Sequence, residues 1–317
     1  GGYGGRDSGS SYGGRDASRG GGRGGGRGGG GRGGGGGIGG PGDGNKFLMN
    51  VQLNMALTDA DNSRDILTLV GNNLDHLNQV NVSTAFSRLG RMGTNLAGGL
   101  TTDHAFQGLL RRARDLALDG RFPARELANT VHAIARLHHG DRGLDPGDPA
   151  VSETWDALEQ AVAPVARDMW PQAVANTMYA FAKLERAPGY QSWAALELAV
   201  VRVEPQMNAQ DVSNTLYAYS KLERSPGPQA WAALDRGVLR EASEMNSQEL
   251  GITVWALGKF EKAPGAHAMA ALDRAVAGGL RRMKPHDVAI TVWSFATLAA
   301  LRGVPLPASY AATWREA

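Results

Sequence analysis

Across the second half of the chain, apolar residues recur in steps of three and four. Val212, Leu216, Tyr219 and Leu222 mark one face of a helix, and after a Ser-Pro-Gly break Trp231, Leu234 and Val238 mark a second. Such spacing belongs to amphipathic helices that each bury one stripe, so the pair predicts a helical hairpin. Shifted by 38 residues, the pattern returns. Met169, Met207, Met245 and Met283 are evenly spaced, and Tyr179, Tyr217, Trp255 and Trp293 follow each by ten residues. Three complete units start at the first three methionines, with Ala-Pro-Gly or Ser-Pro-Gly between their helices. The glycine is expected to end the first helix (A) in a left-handed cap, and the proline to resist its continuation into the second (B).

A period of this length, read as paired helices, predicts an all-α, right-handed α-solenoid whose units bury their apolar faces only against neighbours. Upstream the repeat is looser, over residues 63–168. Residues 122–137 read as an A helix, and Thr130 lies 47 residues before Thr177; the excess fits the loop from His138 to Pro149. Residues 78–92 read as another A helix, followed by a B helix carrying Phe106, Leu109, Leu110 and Ala113, and residues 63–74 as a leading helix. From Met169 the units are strict, and the last is truncated. About five or six hairpins are expected. The sequence opens without methionine and stops inside an unfinished repeat, so it is expected to be part of a longer protein.

Composition divides the chain near residue 44. Of the 45 glycines, 26 precede residue 45, together with six arginines and three aspartates. Residues 1–44 cannot bury enough apolar surface to offset their ordering entropy and are expected to form a disordered Gly/Arg-rich arm. Residues 45–317 form the helical repeat domain. The arm carries net +3 and the rest net −1, so any nucleic-acid argument must rest on where charge is placed. The absence of cysteine excludes disulfides and thiolate metal sites. No apolar run is long enough to span a bilayer, so no membrane partner is expected.

Counting each A helix from its methionine as zero, at 100° per residue, puts positions five, nine, twelve and fifteen on one apolar face. Positions three, seven, ten, fourteen and seventeen fall opposite. They read Gln172, Asn176, Tyr179, Lys183 and Arg186, then Gln210, Asn214, Tyr217, Lys221 and Arg224. The third unit reads Gln248, Ile252, Trp255, Lys259 and Lys262, and the fourth His286, Ile290 and Trp293 before losing its cation at Thr297. Amides that read base edges, rings that stack and cations that meet phosphate share one stripe, as single-stranded RNA recognition requires. Positions three and seven are expected to be the most exposed. Small residues at six and thirteen (Ala175, Ala182, Ser213, Ser220, Gly251, Gly258) indicate close approach of neighbouring A helices, so the aromatics serve either packing or base stacking. The cations either meet phosphate or sit as solvated residues at helix C-termini.

In the arm, Tyr-Gly-Gly-Arg-Asp occurs twice and Arg-Gly-Gly steps follow, so Arg6, Arg15, Arg23, Arg27 and Arg32 read either as a sequence-blind RNA-binding element or as part of a Gly-rich linker. Catalytic signals are poor. His138 and His139 lie near Asp141, Asp145 and Asp148 without metal-ligand spacing, and the glycine string has neither a preceding strand nor a following GK[ST]. The recurring Asp235-Arg236 and Asp273-Arg274 read as a solvated face. Neither cofactor, metal nor small-molecule substrate is expected, and the chain reads as a non-enzyme.

With VANTMYAFAKL, VSNTLYAYSKL and ITVWALGKF at 38-residue spacing, residues 63–317 resemble the octotricopeptide-type helical repeats of organelle RNA factors, and NQVNVSTAFSRL resembles the segment preceding such arrays. The likeness extends to FAST-kinase-like and RAP-domain proteins and to repeat subunits of mitochondrial RNA-editing complexes. The resemblance implies an RNA-binding protein in mitochondrial or chloroplast RNA processing, stability, editing or translation, with other ribonucleoprotein subunits as possible partners; no RAP module is visible. The alternative is an armadillo- or HEAT-like protein-interaction scaffold, since solenoids use the same surface for both.

Overall fold

The computed structural model describes residues 41–92, 99–138, 144–145, 147–260, 263–279 and 283–302. The regular elements among them are all helical. They are α1 (Pro41–Asp59), α2 (Ser63–Asn72), α3 (Gln79–Met92), α4 (His104–Leu118), α5 (Ala124–His138), α6 (Pro149–Gln160), α7 (Val162–Val165), α8 (Pro171–Lys183), α9 (Tyr190–Val203), α10 (Ala209–Lys221), α11 (Pro228–Glu241), α12 (Ser247–Lys259), α13 (Ala266–Gly279) and α14 (Pro285–Arg302). The chain divides into two compact units, Gly1–Leu48 and Met49–Ala317, and the repeats all fall in the second.

Within that unit the A helices α3, α5, α8, α10, α12 and α14 pack in chain order. The B helices α2, α4, α6 with α7, α9, α11 and α13 form a second layer in the same order. Five hairpins and the opening helix of a sixth make an all-α solenoid among the described residues. Its A helices bury the faces the periodicity marks: Val174, Met178 and Phe181 on α8, and Val212, Leu216 and Tyr219 on α10, are fully enclosed. Buried B-helix residues Trp155 and Trp193 meet Phe181 and Tyr219 of the following A helix edge to face, at 5.1 and 4.9 Å between centroids. Such T-shaped contacts add about 0.5–1.5 kcal/mol beyond area burial.

Small residues set how closely the A helices approach. A Cβ on Gly90 would lie 3.2 Å from the Ala133 carbonyl oxygen, and one on Gly258 3.3 Å from the Ser294 Cα. Ala182 and Ser220 occupy the same position in the intervening units and are buried.

The helix ends differ from the expectation drawn from the Pro-Gly motif. The left-handed residues closing α8 and α10 are Glu185 (φ 52) and Glu223 (φ 53), not glycines. Glu185 N–H donates to the Ala182 carbonyl and Arg186 N–H to that of Phe181, with the same pair repeated from Glu223 and Arg224 to Ser220 and Tyr219. These are Schellman turns. Gly189 and Gly227 instead open the B helices as extended N-caps (φ −61 and −62). A carboxylate of the preceding B helix takes each glycine N–H: Glu159 from Gly189 at 2.6 Å, Glu197 from Gly227 at 2.7 Å and Asp235 from Gly265 at 2.7 Å. Asp235 therefore clasps the next hairpin, and Arg236 binds buried Glu204 at 3.1 Å, so this pair is not merely a solvated face.

Arginines add a second set of stitches. Arg112 donates to the Leu77 carbonyl at 2.7 Å, Arg202 to those of Ala166 and Met169 at 3.2 and 2.6 Å, and Arg240 to those of Glu204 and Met207 at 2.9 and 2.8 Å. In these three hairpins the B helix thereby fastens the turn that leads into its own A helix.

Candidate nucleic-acid interface

The packing geometry extends the register upstream. Gly90 meets Ala133 as Gly258 meets Ser294, which makes Leu77 and Phe122 the equivalents of Met169, Met207, Met245 and Met283. All six are buried. Position fourteen is then Arg91, Arg136, Lys183, Lys221, Lys259 and Thr297, so five consecutive A helices carry a cation there. Each of the five lies in the last turn of its helix.

Position ten forms a row of rings beside them. His132 meets Tyr179 at 6.1 Å between centroids, Tyr179 meets Tyr217 at 5.4 Å, and Tyr217 meets Trp255 at 5.7 Å. These are distances of directly touching aromatics, so no base fits between neighbours. The row packs the A helices together and offers only its outer rim. Tyr179 is 6% exposed, Tyr217 and Trp255 are half-buried, and Trp293 is 48% exposed. Burial, and then the charges of Arg136 and Arg91, push the His132 imidazole down to about 4. At neutral pH it continues the row as an uncharged ring.

The lysines lie against this row. Lys183 Nζ sits 5.7 Å from the Tyr179 centroid and 5.6 Å from that of Tyr217, bridging two units. Lys221 pairs with Glu185 at 2.7 Å, and its hydrogen bond and charge hold that carboxyl below its usual range. Lys259 is exposed.

Other predicted stripe residues are placed differently. Gln172, Gln210 and His286 are exposed and Gln248 is half-buried. At position seven, Asn176, Ile252 and Ile290 are half-buried and Asn214 is only 6% exposed, so this position faces the neighbouring helix rather than solvent. Arg186 and Arg224 leave the stripe, because the helix ends at position fourteen and the Schellman turn breaks the 100° progression. Arg186 reaches Asp156 on α6 at 2.7 Å. Arg224 lies 4.9 Å from the Trp193 ring centroid and donates to the Pro188 carbonyl at 2.8 Å. Lys262 and arm residues Arg6, Arg15, Arg23, Arg27 and Arg32 lie outside the described residues.

Sequence reasoning missed Arg91, Arg136 and His132. The 47-residue offset already visible between Thr130 and Thr177 leads from Lys183 to Arg136, and from Tyr179 to His132. Arg91 follows once Gly90 is seen as the small residue beside it. Among the described residues no cluster of three or more His, Asp or Glu side chains could hold a metal ion, and no helix is long and apolar enough to cross a membrane. No protein-family model matches the chain, and no curated protein matches it.

Proposed function

We propose that the A-helix face binds single-stranded RNA as a track, with position-fourteen cations meeting phosphates and the rims of the ring row supporting bases from outside. The observation that carries this reading is the recurrence of a cation at one position on five consecutive, mutually packed A helices, beside a continuous row of rings. Neighbouring packed helices lie about 8–10 Å apart, so the charges form a line rather than a point. A line of cations with adjoining π-surface is the device that binds a single strand with little demand on sequence. Exposed Gln172 and Gln210 flank it with groups able to read base edges.

The protein acts in this reading as a non-enzymatic binding factor. The resemblance to octotricopeptide-type repeats supports work on organellar transcripts in a mitochondrion or chloroplast, and the arginine-rich arm supplies a second, sequence-blind attachment. Changing Lys183, Lys221 and Lys259 together to glutamate tests the track by fluorescence anisotropy with a mixed-sequence single-stranded RNA. The expected result is an affinity at least about tenfold weaker and a salt slope shallower by about 2, since each phosphate left without its cation removes about 0.7. Unchanged RNA binding would reject the track and favour a protein-binding scaffold.

A further inference from the structure

We infer that position seven of the A helices reads base identity, with Asn129, Asn176 and Asn214 each taking the edge of one adenine in three consecutive nucleotides. This rests on the RNA reading above. Counted from Phe122 as from Met169 and Met207, the seventh residue is asparagine on α5, α8 and α10, which pack in succession. On α12 and α14 the position passes to Ile252 and Ile290, whose side chains make no hydrogen bond. Among the described residues none of the three asparagine amides has a hydrogen-bond partner, and none of their oxygen or nitrogen atoms is sealed from solvent. Asn129 and Asn176 are half-buried and Asn214 is 6% exposed, so each side chain is wedged beside the neighbouring helix with its polar end open. Folded proteins pair nearly all such groups. Buried Asn81 shows the ordinary case: it donates to the Asn50 carbonyl at 3.0 Å and accepts the Asn78 N–H at 3.3 Å.

Helix geometry relates the amides to the rest of the track. Positions seven and fourteen lie about 20° apart around the helix and about 10 Å apart along it, with the ring of position ten between them. A nucleotide spans a similar length from its phosphate, across the sugar, to the far edge of its base. A phosphate on Lys183 or Lys221 therefore sets the base against the rim of Tyr179 or Tyr217 and its edge at Asn176 or Asn214. Position three, about 16 Å from the cation, is farther from that base. Neighbouring helices about 8–10 Å apart allow one nucleotide to each. An asparagine amide presents a donor beside an acceptor, which matches an edge that sets an amino group next to a ring nitrogen. Adenine carries that edge and adds the broad face of a purine for the rings.

The test compares, by fluorescence anisotropy, a twelve-nucleotide oligouridine with the same strand carrying three central adenosines. The adenosines should tighten binding by at least about fivefold each. Purine riboside in their place keeps the ring system and removes the amino group, and should return the affinity toward that of oligouridine. Asn129→Leu, Asn176→Leu and Asn214→Leu should each erase one step of the gain and leave oligouridine binding unchanged. Ile252→Asn should extend the preference to a fourth adenosine, a gain that damage to the fold cannot imitate. Equal affinity for adenosine and purine riboside, or a gain that survives all three leucine substitutions together, would overturn base reading at position seven while the track stands. If oligouridine is not bound, or is bound without salt dependence, the track itself fails and this assignment with it.

Discussion

At the residue scale, Asp211 ties the stability of the array to pH. It sits in the first turn of α10, almost fully buried, and accepts the Asn208 N–H at 3.3 Å as half of a capping box. Burial, with added repulsion from Glu241 and Glu249, pushes its carboxyl up to about 6, against the pull of the Asn208 N–H. A folded value above the unfolded 3.8 means that the native state binds the extra proton. Stability from this group is therefore full below the unfolded value and falls as pH rises from about 4 to about 6. Asp211→Asn keeps an acceptor for Asn208 and removes the buried charge. It should stabilise the protein at pH 7.5 by about 1–3 kcal/mol and have little effect at pH 4, measured by urea unfolding at both values. A difference from wild type that is the same at both pH values would show that the carboxylate is not under strain.

At the element scale, hairpins are joined at their ends by groups that serve the neighbouring repeat. Glu197 accepts the N–H of Gly227, which opens α11, and also the hydroxyl of Tyr219, at 3.2 Å. Glu197→Ala leaves both donors without this partner and should cost about 1–3 kcal/mol, whereas Glu197→Gln, still an acceptor, should lose well under half of that in the same denaturant titration. Equal losses would point to charge rather than the cap. Glu185 shows the opposite sign. Its left-handed conformation strains a residue with a Cβ, so Glu185→Gly should raise stability by up to about 1 kcal/mol after glycine's own entropy cost, seen as a higher melting midpoint. A lower midpoint would mean that its pair with Lys221 outweighs the strain. These ends also mark where sequence reading succeeded and failed. Helix faces were legible because periodicity reports burial directly: Val212, Leu216 and Tyr219 sit where the pattern puts them. The Pro-Gly motif signalled a break but not which side of it the glycine served, because the groups that decide this, Glu159, Glu197 and Asp235, belong to the preceding hairpin. The angular projection likewise held to Lys183 and Lys221 and failed at Arg186 and Arg224, where the backbone is no longer helical. The burial of Asn214 escaped it too, since a single-helix wheel does not show the next helix.

At the scale of the whole molecule, the solenoid determines how binding energy is distributed. Each hairpin packs on the one before and the one after, so the position-fourteen cations stand on separate helices with no common pocket to organise them. Substitutions more than about 7–10 Å apart and without shared partners add nearly independently. If the proposed track binds RNA, neutralising Arg91, Arg136, Lys183, Lys221 or Lys259 singly to glutamine should lower the slope of log K against log salt by about 0.7 each, and pairs by about 1.4, wherever along the array they lie. Arg91 and Arg136 are the most informative members. They stand on the two looser upstream helices; the 47-residue offset ties Arg136 to the strict repeats, and the packing of Gly90 on Ala133 ties Arg91 to them. If their removal changes RNA affinity as removal of the lysines does, the track begins at α3 and spans five units. If only the lysines matter, the upstream hairpins support the fold and the RNA occupies α8 to α12. Should one cation account for nearly all the effect and the rest for none, the surface is a point site, and the regularity of position fourteen reflects what a helix C-terminus favours instead of what a phosphate backbone requires.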